Sequence, residues 1–560
     1  MSSQRERVDR LLYTSVQQYR QLLYYRGYRD DGTREQYIAG GKGDPAPELV
    51  ENYYHFRVSD RARCAELNRA LHALKKHSDY KKRINHSFDW AKSDLCCLNG
   101  EKVIELTFDY RDTFNIKNEI ATRFSDIKIF SDIDFKYKYI RGRGAFDTLK
   151  HTIKIAYLDI ETETEDGFAK PEDPTEKVNC ISMRIQDGKM YVWALGKVVI
   201  DKEDVVLHCF EDERELLEDF VLTWRALDFD IISGWNINHF DLPYLYHRIK
   251  RIVGEKIAAA LSPFGVVVEK LDKNNFTFAA TEAAVDIIGI QILDYLDVYK
   301  KHTYENRENY KLNTIAHVEL GEGKIDYTKF KNLQGLYKKD FQLFVEYNMQ
   351  DTDLVYKLEI ALRLISLVCY LAYMSKINFE DVKSGTQTWD VIIFNHLYDT
   401  GYVIKPKEKI EKSGTYPGAY VRDPLPGHYK YILSFDATSL YPSLIRQQNI
   451  SAETITDTTY DGFKRFHGPA ETDEYEVDGL INFQDDLGWL KEQDLCLSPS
   501  GCTFRRDKQG FAPFLMEKFF KERKAAKKEM LKLEQEAEKM KAEMEERGLT
   551  PKYCFQKPHH

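Results

Sequence analysis

Cysteine is sparse and unpatterned in this chain of 560 residues: nine in all, no C-x-x-C pair, and two adjacent at Cys96 and Cys97. That argues against a disulfide framework and a zinc knuckle, and it points to a reducing, cytosolic compartment. Long hydrophobic runs are missing too. The strongest, ISLVCYLAYM at 365–374, is about half of the ~20 residues that a membrane span needs. The first ten residues, MSSQRERVDR, are charged and polar and carry no secretory signal pattern. No internal repeat is visible. A positive excess is absent, since 81 Lys and Arg face 90 Asp and Glu for a net charge of −9. This does not exclude a nucleic-acid enzyme, because phosphate contacts depend on local patches rather than on the sum. With 43% hydrophobic and 31% charged residues the chain reads as folded, and its length suits about three or four domains at roughly 150 residues each.

The pattern along the chain is mixed. Residues 60–77 read as an amphipathic helix, and 102–108 and 127–140 as strands. RGRGAFDTLKH at 141–151 reads as a linker. From 152 the texture becomes α/β. TIKIAYLDIET and DIISGW read as strands, RELLEDFVLTWRAL and LPYLYHRIKRIV as helices, and 341–375 as one long helical stretch. A second strand–turn–helix is expected at YKYILSFDATSLYPSLIRQQN. Residues 455–505 read as acidic and loop-rich, and the chain closes on one long helix that stops at Gly548 with Pro551 beyond. The fold class expected is α/β and α+β multidomain.

Asp159 and Glu161 stand at i and i+2 at the end of a strand, so alternation puts both carboxylates on one sheet face. Like charges side by side repel, and a divalent ion with hard oxygen ligands, Mg²⁺ or Mn²⁺, gives such a pair a purpose. A solvated strand end would look the same. Asp241 follows an apolar strand and opens a helix with Pro243 in its first turn; it could join a metal cluster or simply cap the helix. Tyr347 and Asp351 are four apart on a helix and share a face. Each element alone is weak. Their order carries more: D-x-E, then N-x-x-x-F-D-x-P, then Y-x-x-x-D, about 80 and 110 residues apart, on strand, strand–helix junction and helix.

In that order the three elements resemble the exonuclease set of the family B DNA polymerases, in its Tyr-containing form. GWNINHFDLPYL, ILDYLDVYKK, TWDVIIFN, YPGAYV and SFDATSLYPSLIRQQNIS extend the likeness from about 152 to about 530, towards the family's T4-like bacteriophage branch. The first ~100 residues match only loosely. The resemblance implies an N-terminal domain at 1–150 with a return segment at 367–409, and a ribonuclease H-like 3′–5′ exonuclease domain at 151–366. It further implies a partial palm at 410–509 and a partial fingers domain at 510–560. By it, Asp159, Glu161, Asp241 and Asp351 would hold two divalent ions, and Tyr347 would position the attacking water. D-x-x-S-L-Y-P-S resembles the family's motif A. Asp436 and Ala437 would then bind the polymerase metals, Ser439, Leu440 and Tyr441 would contact the incoming dNTP, and Arg523 and Lys527 on the fingers helix would reach its phosphates. TYPGAYV at 415–421 would touch template and primer, and 266–292 would contain the hairpin that parts them.

Two family motifs are not found in these residues: K-x-x-x-N-S-x-Y-G, and D-T-D-S with the second palm carboxylate. The expectation is therefore the N-terminal half of a split polymerase. It would carry the proofreading nuclease and need a second polypeptide for synthesis. A fragment of a longer reading frame is the other explanation. A stand-alone single-strand exonuclease, or a non-catalytic nucleic-acid-binding fragment, are the alternatives. The implied partners are primer–template DNA, single-stranded 3′ ends, dNTP and a sliding clamp reached through the second chain, with no membrane, in the host-cell cytoplasm.

Overall fold

The fold is given by a computed structural model that describes residues 12–29, 32–41, 44, 50–142, 153–163, 169–270, 284–330, 332–406, 423–459, 490–497 and 502–547. The 415–421 segment, most of the 141–151 linker, the tip of the 266–292 hairpin and the helix stop at Gly548 lie outside them.

The N-terminal part holds two antiparallel sheets. β1 (Leu12–Tyr19), β2 (Leu22–Tyr28) and β3 (Arg34–Ile38) form a meander. β4 (Glu51–Arg57) is followed by α1 (Arg61–Leu74), β5 (Phe88–Cys96) and β6 (Lys102–Asp109), with β6 central in the order β4-β6-β5. α2 (Thr113–Arg123) and α3 (Phe135–Gly142) follow. The strand expected over 127–140 is therefore wrong. Only Phe130 bridges to His55, and the rest is loop and helix. The aromatics alternate as in a strand, but tertiary packing overrides that period. Phe135 and Tyr139, four apart, pack ring to ring at 5.9 Å. Lys138, buried with its ammonium over the Tyr53 ring at 4.2 Å, donates to Asn52 Oδ1 at 2.8 Å and to the Tyr53 carbonyl at 2.5 Å.

The middle of the chain is a six-stranded sheet. Its members are β7 (Ile155–Thr162), β8 (Val178–Ile185), β9 (Met190–Leu195), β10 (Val205–Phe210), β11 (Ile231–Gly234) and, after a two-stranded hairpin of β12 (Val267–Lys270) and β13 (Ala284–Ile287), β14 (Gln291–Asp294). The order is β10-β9-β8-β7-β11-β14. β7–β8 and β8–β9 are antiparallel pairs; β7–β11, β11–β14 and β9–β10 are parallel pairs. Alternation sorts β7 between two cores. Ala156, Leu158 and Ile160 pack with α4 (Glu213–Leu227) and α5 (Asp241–Ile252). Ile155 and Tyr157 face the opposite layer. After α5 comes the short α6 (Glu255–Ala259). α7 (Tyr295–His302), α8 (Leu312–Leu320), α9 (Leu333–Lys339), α10 (Phe341–Leu362), α11 (Leu364–Ser375) and α12 (Gly385–Asp399) follow β14.

The single helix expected over 341–375 is two. Arg363 adopts a left-handed φ of +53°, and the buried Glu359 carboxylate accepts from the freed Ile365 and Ser366 N–H groups at 2.9 and 3.2 Å. A side chain that satisfies the orphan donors of a new first turn makes the break tolerable. α11 then docks on the meander, where Tyr13 donates to the Ile377 carbonyl at 2.6 Å and Asn378 accepts from Val16 at 2.9 Å.

The C-terminal part contains α13 (Leu440–Gln447), the small sheet of β15 (Ile455–Thr459), β16 (Leu495–Leu497) and β17 (Cys502–Arg505), and the 36-residue α14 (Phe511–Glu546). The strand expected before Asp436 is not formed. Residues 432–437 are coil, with Ile432, Leu433 and Phe435 at 74, 81 and 91% exposure. Strand geometry needs a neighbour for its N–H and C=O groups, and no described strand lies beside this one.

Candidate active site

The D-x-E pair is placed by β7. Asp159 and Glu161 continue the face of Ile155 and Tyr157, which is covered by α10. α10 is set by its own cap, Asp340, which accepts from Leu343 N at 3.0 Å. It turns Tyr347, Asn348, Asp351 and Thr352 inward, all buried. One carboxylate oxygen each from Asp159, Glu161 and Asp351 lies within 4.8 Å of the others. Residues 192 positions apart in sequence are thus brought into one cluster.

Asp241 stands just outside that trio. It opens α5 without capping it. Its Oδ1 accepts instead from Ile160 N at 3.1 Å, on the strand between Asp159 and Glu161. Two features that the sequence reading missed hold it there. Asp294, at the end of β14, accepts from the backbone N–H of Asn236 and Asn238 at 3.0 and 3.1 Å and so fixes the turn before α5. Asn236 has a left-handed φ of +65°. Arg248 of α5 makes a buried two-pronged ion pair with Glu213 of α4 at 2.8 and 2.6 Å. A second acidic group, His239, Asp294 and Asp297, also clusters within 4.8 Å, but Asp294 already serves three backbone donors.

Lys324 is the main residue that the sequence reading did not find. Its Nζ donates to Asp351 Oδ2 at 2.5 Å and to the Tyr347 hydroxyl at 3.1 Å. The loop that carries it follows α8, which ends on Gly321 at φ +71°. Gly323 has no room for a Cβ beside the His317 ring. Asn313 accepts from Lys324 N at 2.8 Å. A lysine just past two closely spaced glycines was the available signal, but G-x-G-K is too common to single out.

The electrostatics follow from four acids in one poorly hydrated place. Burial pushes the Asp159 carboxyl well above its ordinary range, and the charges of Asp241, Asp351 and Glu161 add to it. Burial, then Asp351, lifts Glu161 to about 8. Burial lifts Asp241 to about 7 against the pull of the Ile160 N–H. Asp351 is raised by burial despite Lys324. Burial alone would lower the Lys324 ammonium, but Asp351, Tyr347 and Asp159 reverse this and keep it charged. The Tyr347 phenol, desolvated and beside Asp351, stays protonated. Asp351 Oδ1 is buried with no hydrogen-bond partner among the described residues. An orphaned carboxylate oxygen among raised acids fits a site that takes up hard divalent cations, which displace the protons and supply the missing positive charge.

The motif A residues are placed differently. Asp436 and Ala437 lie in the exposed coil before α13. Ser439 is half-buried at a left-handed φ of +51°, and Leu440 and Tyr441 are 49 and 73% exposed. Arg523 and Lys527 are both exposed, one turn apart on α14. α13 packs against α14, with Arg446 over the Phe520 ring at 5.1 Å. The segment between them caps the long helix: Ser451 Oγ accepts from Ala512 N at 3.3 Å and Glu453 from Phe511 N at 2.5 Å.

Comparison with known proteins bears on both halves. The profile for the exonuclease domain of DNA polymerase family B matches residues 103–315, and that for DNA polymerase family B matches 380–552. Tyr347 and Asp351 fall between the two. The chain is 32% identical over 447 residues to the DNA-directed DNA polymerase of Escherichia phage RB69, covering 74% of this chain and 47% of that protein. It is 31% identical over 438 residues to the DNA-directed DNA polymerase of Enterobacteria phage T4, covering 73 and 46%. It is 28% identical over 392 residues to DNA polymerase 1 of Sulfurisphaera ohwakuensis, covering 64 and 39%. The chain spans about half the length of the curated relatives it matches. Two profiles of one family in chain order, with relatives aligned across three quarters of the sequence, establish that the chain belongs to the family B DNA polymerases and carries that family's exonuclease domain.

Proposed function

We propose that this chain is the N-terminal half of a replicative DNA polymerase whose self-contained centre is a 3′–5′ exonuclease acting on single-stranded DNA ends. The observation that carries the reading is the convergence of Asp159, Glu161 and Asp351 from β7 and α10. Counting β7, β8, β9, β11 and β14 as first to fifth, the strand order is 3-2-1-4-5, which supports a ribonuclease H-like reading of this domain. Two Mg²⁺ or Mn²⁺ ions held by Asp159, Glu161, Asp241 and Asp351 would supply Lewis acidity to the water and the leaving oxygen. The protein's own part is placement. The Tyr347 hydroxyl accepts from Lys324 and keeps its proton, so it can donate to and orient a water but not act as a base. The water oxygen bonds to phosphorus and gives up a proton to solvent, the P–O3′ bond breaks, and the released 3′ oxygen takes a proton from solvent, leaving a nucleoside monophosphate and a strand shorter by one.

The test is digestion of a 5′-labelled single-stranded oligonucleotide in Mg²⁺ by the full chain. A ladder shortened from the 3′ end is expected from wild type and none from D159A/E161A. Digestion that survives the double change rejects the assignment.

For synthesis we infer that Asp436 and the Ala437 backbone hold the polymerase metals. Ser439, Leu440 and Tyr441 contact the dNTP, and Arg523 and Lys527 reach its phosphates. The second palm carboxylate comes from residues other than these 560, on a partner polypeptide or on a longer form of this chain. A specific observation favours a helical partner. Ala526, Met530, Leu533, Ala537, Met540 and Met544 recur at alternating four- and three-residue spacing along α14, with Met530, Leu533 and Met540 at 46, 57 and 59% exposure. Glu522, Glu529, Glu536 and Glu543 flank one side of that seam. An antiparallel helix with its own apolar seam and a basic flank fits, whereas a second copy laid antiparallel would set glutamate against glutamate. The proposed setting is the host-cell cytoplasm, with a sliding clamp reached through that partner. Among the described residues no helix is long and apolar enough to cross a membrane.

A further inference from the structure

The amide of Asn348 is wholly buried and lies next to the acidic cluster. Its Nδ2 donates to Asp159 Oδ2 at 2.7 Å. Its Oδ1 accepts from the Cys180 thiol at 3.2 Å. The strand register explains why both contacts exist: across the β7–β8 ladder Glu161 is paired with Cys180 and Asp159 with Ser182. The residues opposite the two nuclease carboxylates are therefore the ones that meet α10. Ser182 Oγ donates to the backbone carbonyl of Asn348 at 3.0 Å and shares a 2.6 Å hydrogen bond with Thr352, one residue beyond Asp351. A single polar rung thus ties the neighbouring strand, the helix that bears Tyr347 and Asp351, and Asp159.

The orientation of the amide decides what it does. With Nδ2 towards Asp159 it donates to a carboxylate oxygen, a contact that favours the charged form of that group. Flipped, it would set a carbonyl oxygen against a carboxylate oxygen. The Cys180 S–H donates to Oδ1 in the first orientation, whereas the flipped amide would face the weakly accepting sulfur with Nδ2 and the carboxylate with oxygen, so carboxylate and thiol together favour the first. We propose that Asn348 is a positioning residue for Asp159, held in its working orientation by Cys180, and that the pair keeps the Asp159 carboxylate aimed into the cluster for cation uptake. This rests on the nuclease reading above. Partners of this kind behind a metal ligand are typically worth roughly 10- to 100-fold in metal affinity or activity.

The test measures Mn²⁺ binding to the full chain by the loss of free Mn²⁺ signal in electron paramagnetic resonance, with no DNA and no turnover. N348A is expected to bind Mn²⁺ at least about 10-fold more weakly than wild type, and its digestion to recover at high Mn²⁺. C180S, which keeps a donor to Oδ1, is expected to bind as wild type does, and C180V to be weakened. C180V against C180S decides the matter if N348A does not fold. Affinity within twofold of wild type in N348A, or in C180V where N348A does not fold, overturns the proposal. The nuclease reading fails separately, if D159A/E161A still digests.

Discussion

Asp241 and Asp436 sit in similar local sequence, each at or just before a helix whose third residue is proline, Pro243 in α5 and Pro442 in α13. Their surroundings are opposite. Asp241 is 5% exposed, is bonded to Ile160 and neighbours three other acids. Asp436 lies on an exposed coil. The difference teaches that a strand–helix corner supplies only a direction. The dielectric, the neighbouring charges and the orphaned acceptors that make a carboxylate take up a metal come from what is packed around it. In the exonuclease domain the sheet brings its own partners. Around Asp436 no described strand supplies them.

The largest expected effect separates the two corners outright. D159A/E161A should abolish 3′-end digestion, read on a denaturing gel, while circular dichroism stays native. Lys324→Met should slow digestion by roughly 10- to 100-fold, because it removes the charge that holds Asp351 and Tyr347; a rate within twofold of wild type would make Lys324 a bystander. pH sharpens the contrast further. Glu161 moves from an ordinary 4.5 to about 8 and Asp241 from 3.8 to about 7. Without metal the native state then binds more protons than the unfolded one between those limits, so stability is present at low pH and is lost as pH rises through 7 to 8. In EDTA the melting temperature should fall from pH 6 to pH 8.5, and the increment given by Mg²⁺ should be larger at pH 8.5. A flat profile in EDTA would show that the cluster is not strained by its own charge. The smallest effect is expected from Asp436→Ala, which should leave digestion within about twofold of wild type, since none of the contacts that build the nuclease cluster involves it. On the synthesis reading proposed above, the same change should abolish nucleotide addition in a preparation that also contains the second palm carboxylate.

Much of the acidic cluster was legible in the sequence. The D-x-E alternation, the turn before Asp241 and the i, i+4 pair on α10 are short-range patterns whose periods follow from strand and helix geometry. Lys324 and Asp294 were not legible, because a lone lysine in a loop and a lone aspartate at a strand end have no period to betray them. Their roles exist only once β14 and the loop after α8 are folded against α5 and α10. The two corrected elements have the same origin. Glu359 caps a helix start six residues on, and the aromatics of α3 obey their neighbours rather than their own alternation. The missing strand before Asp436 is the converse case, where local propensity suits a strand and no described strand lies beside it to pair with it.

The sequence by itself determined which side chains can do the chemistry and which face of its own element each one occupies, since rise and twist are properties of the backbone alone. Tertiary structure decided that Asp351 meets Asp159, that a lysine sits between carboxylate and phenol, and that Asp436 stays in water. Convergence, desolvation and charge coupling are properties of distance in space, which spacing along the chain does not encode.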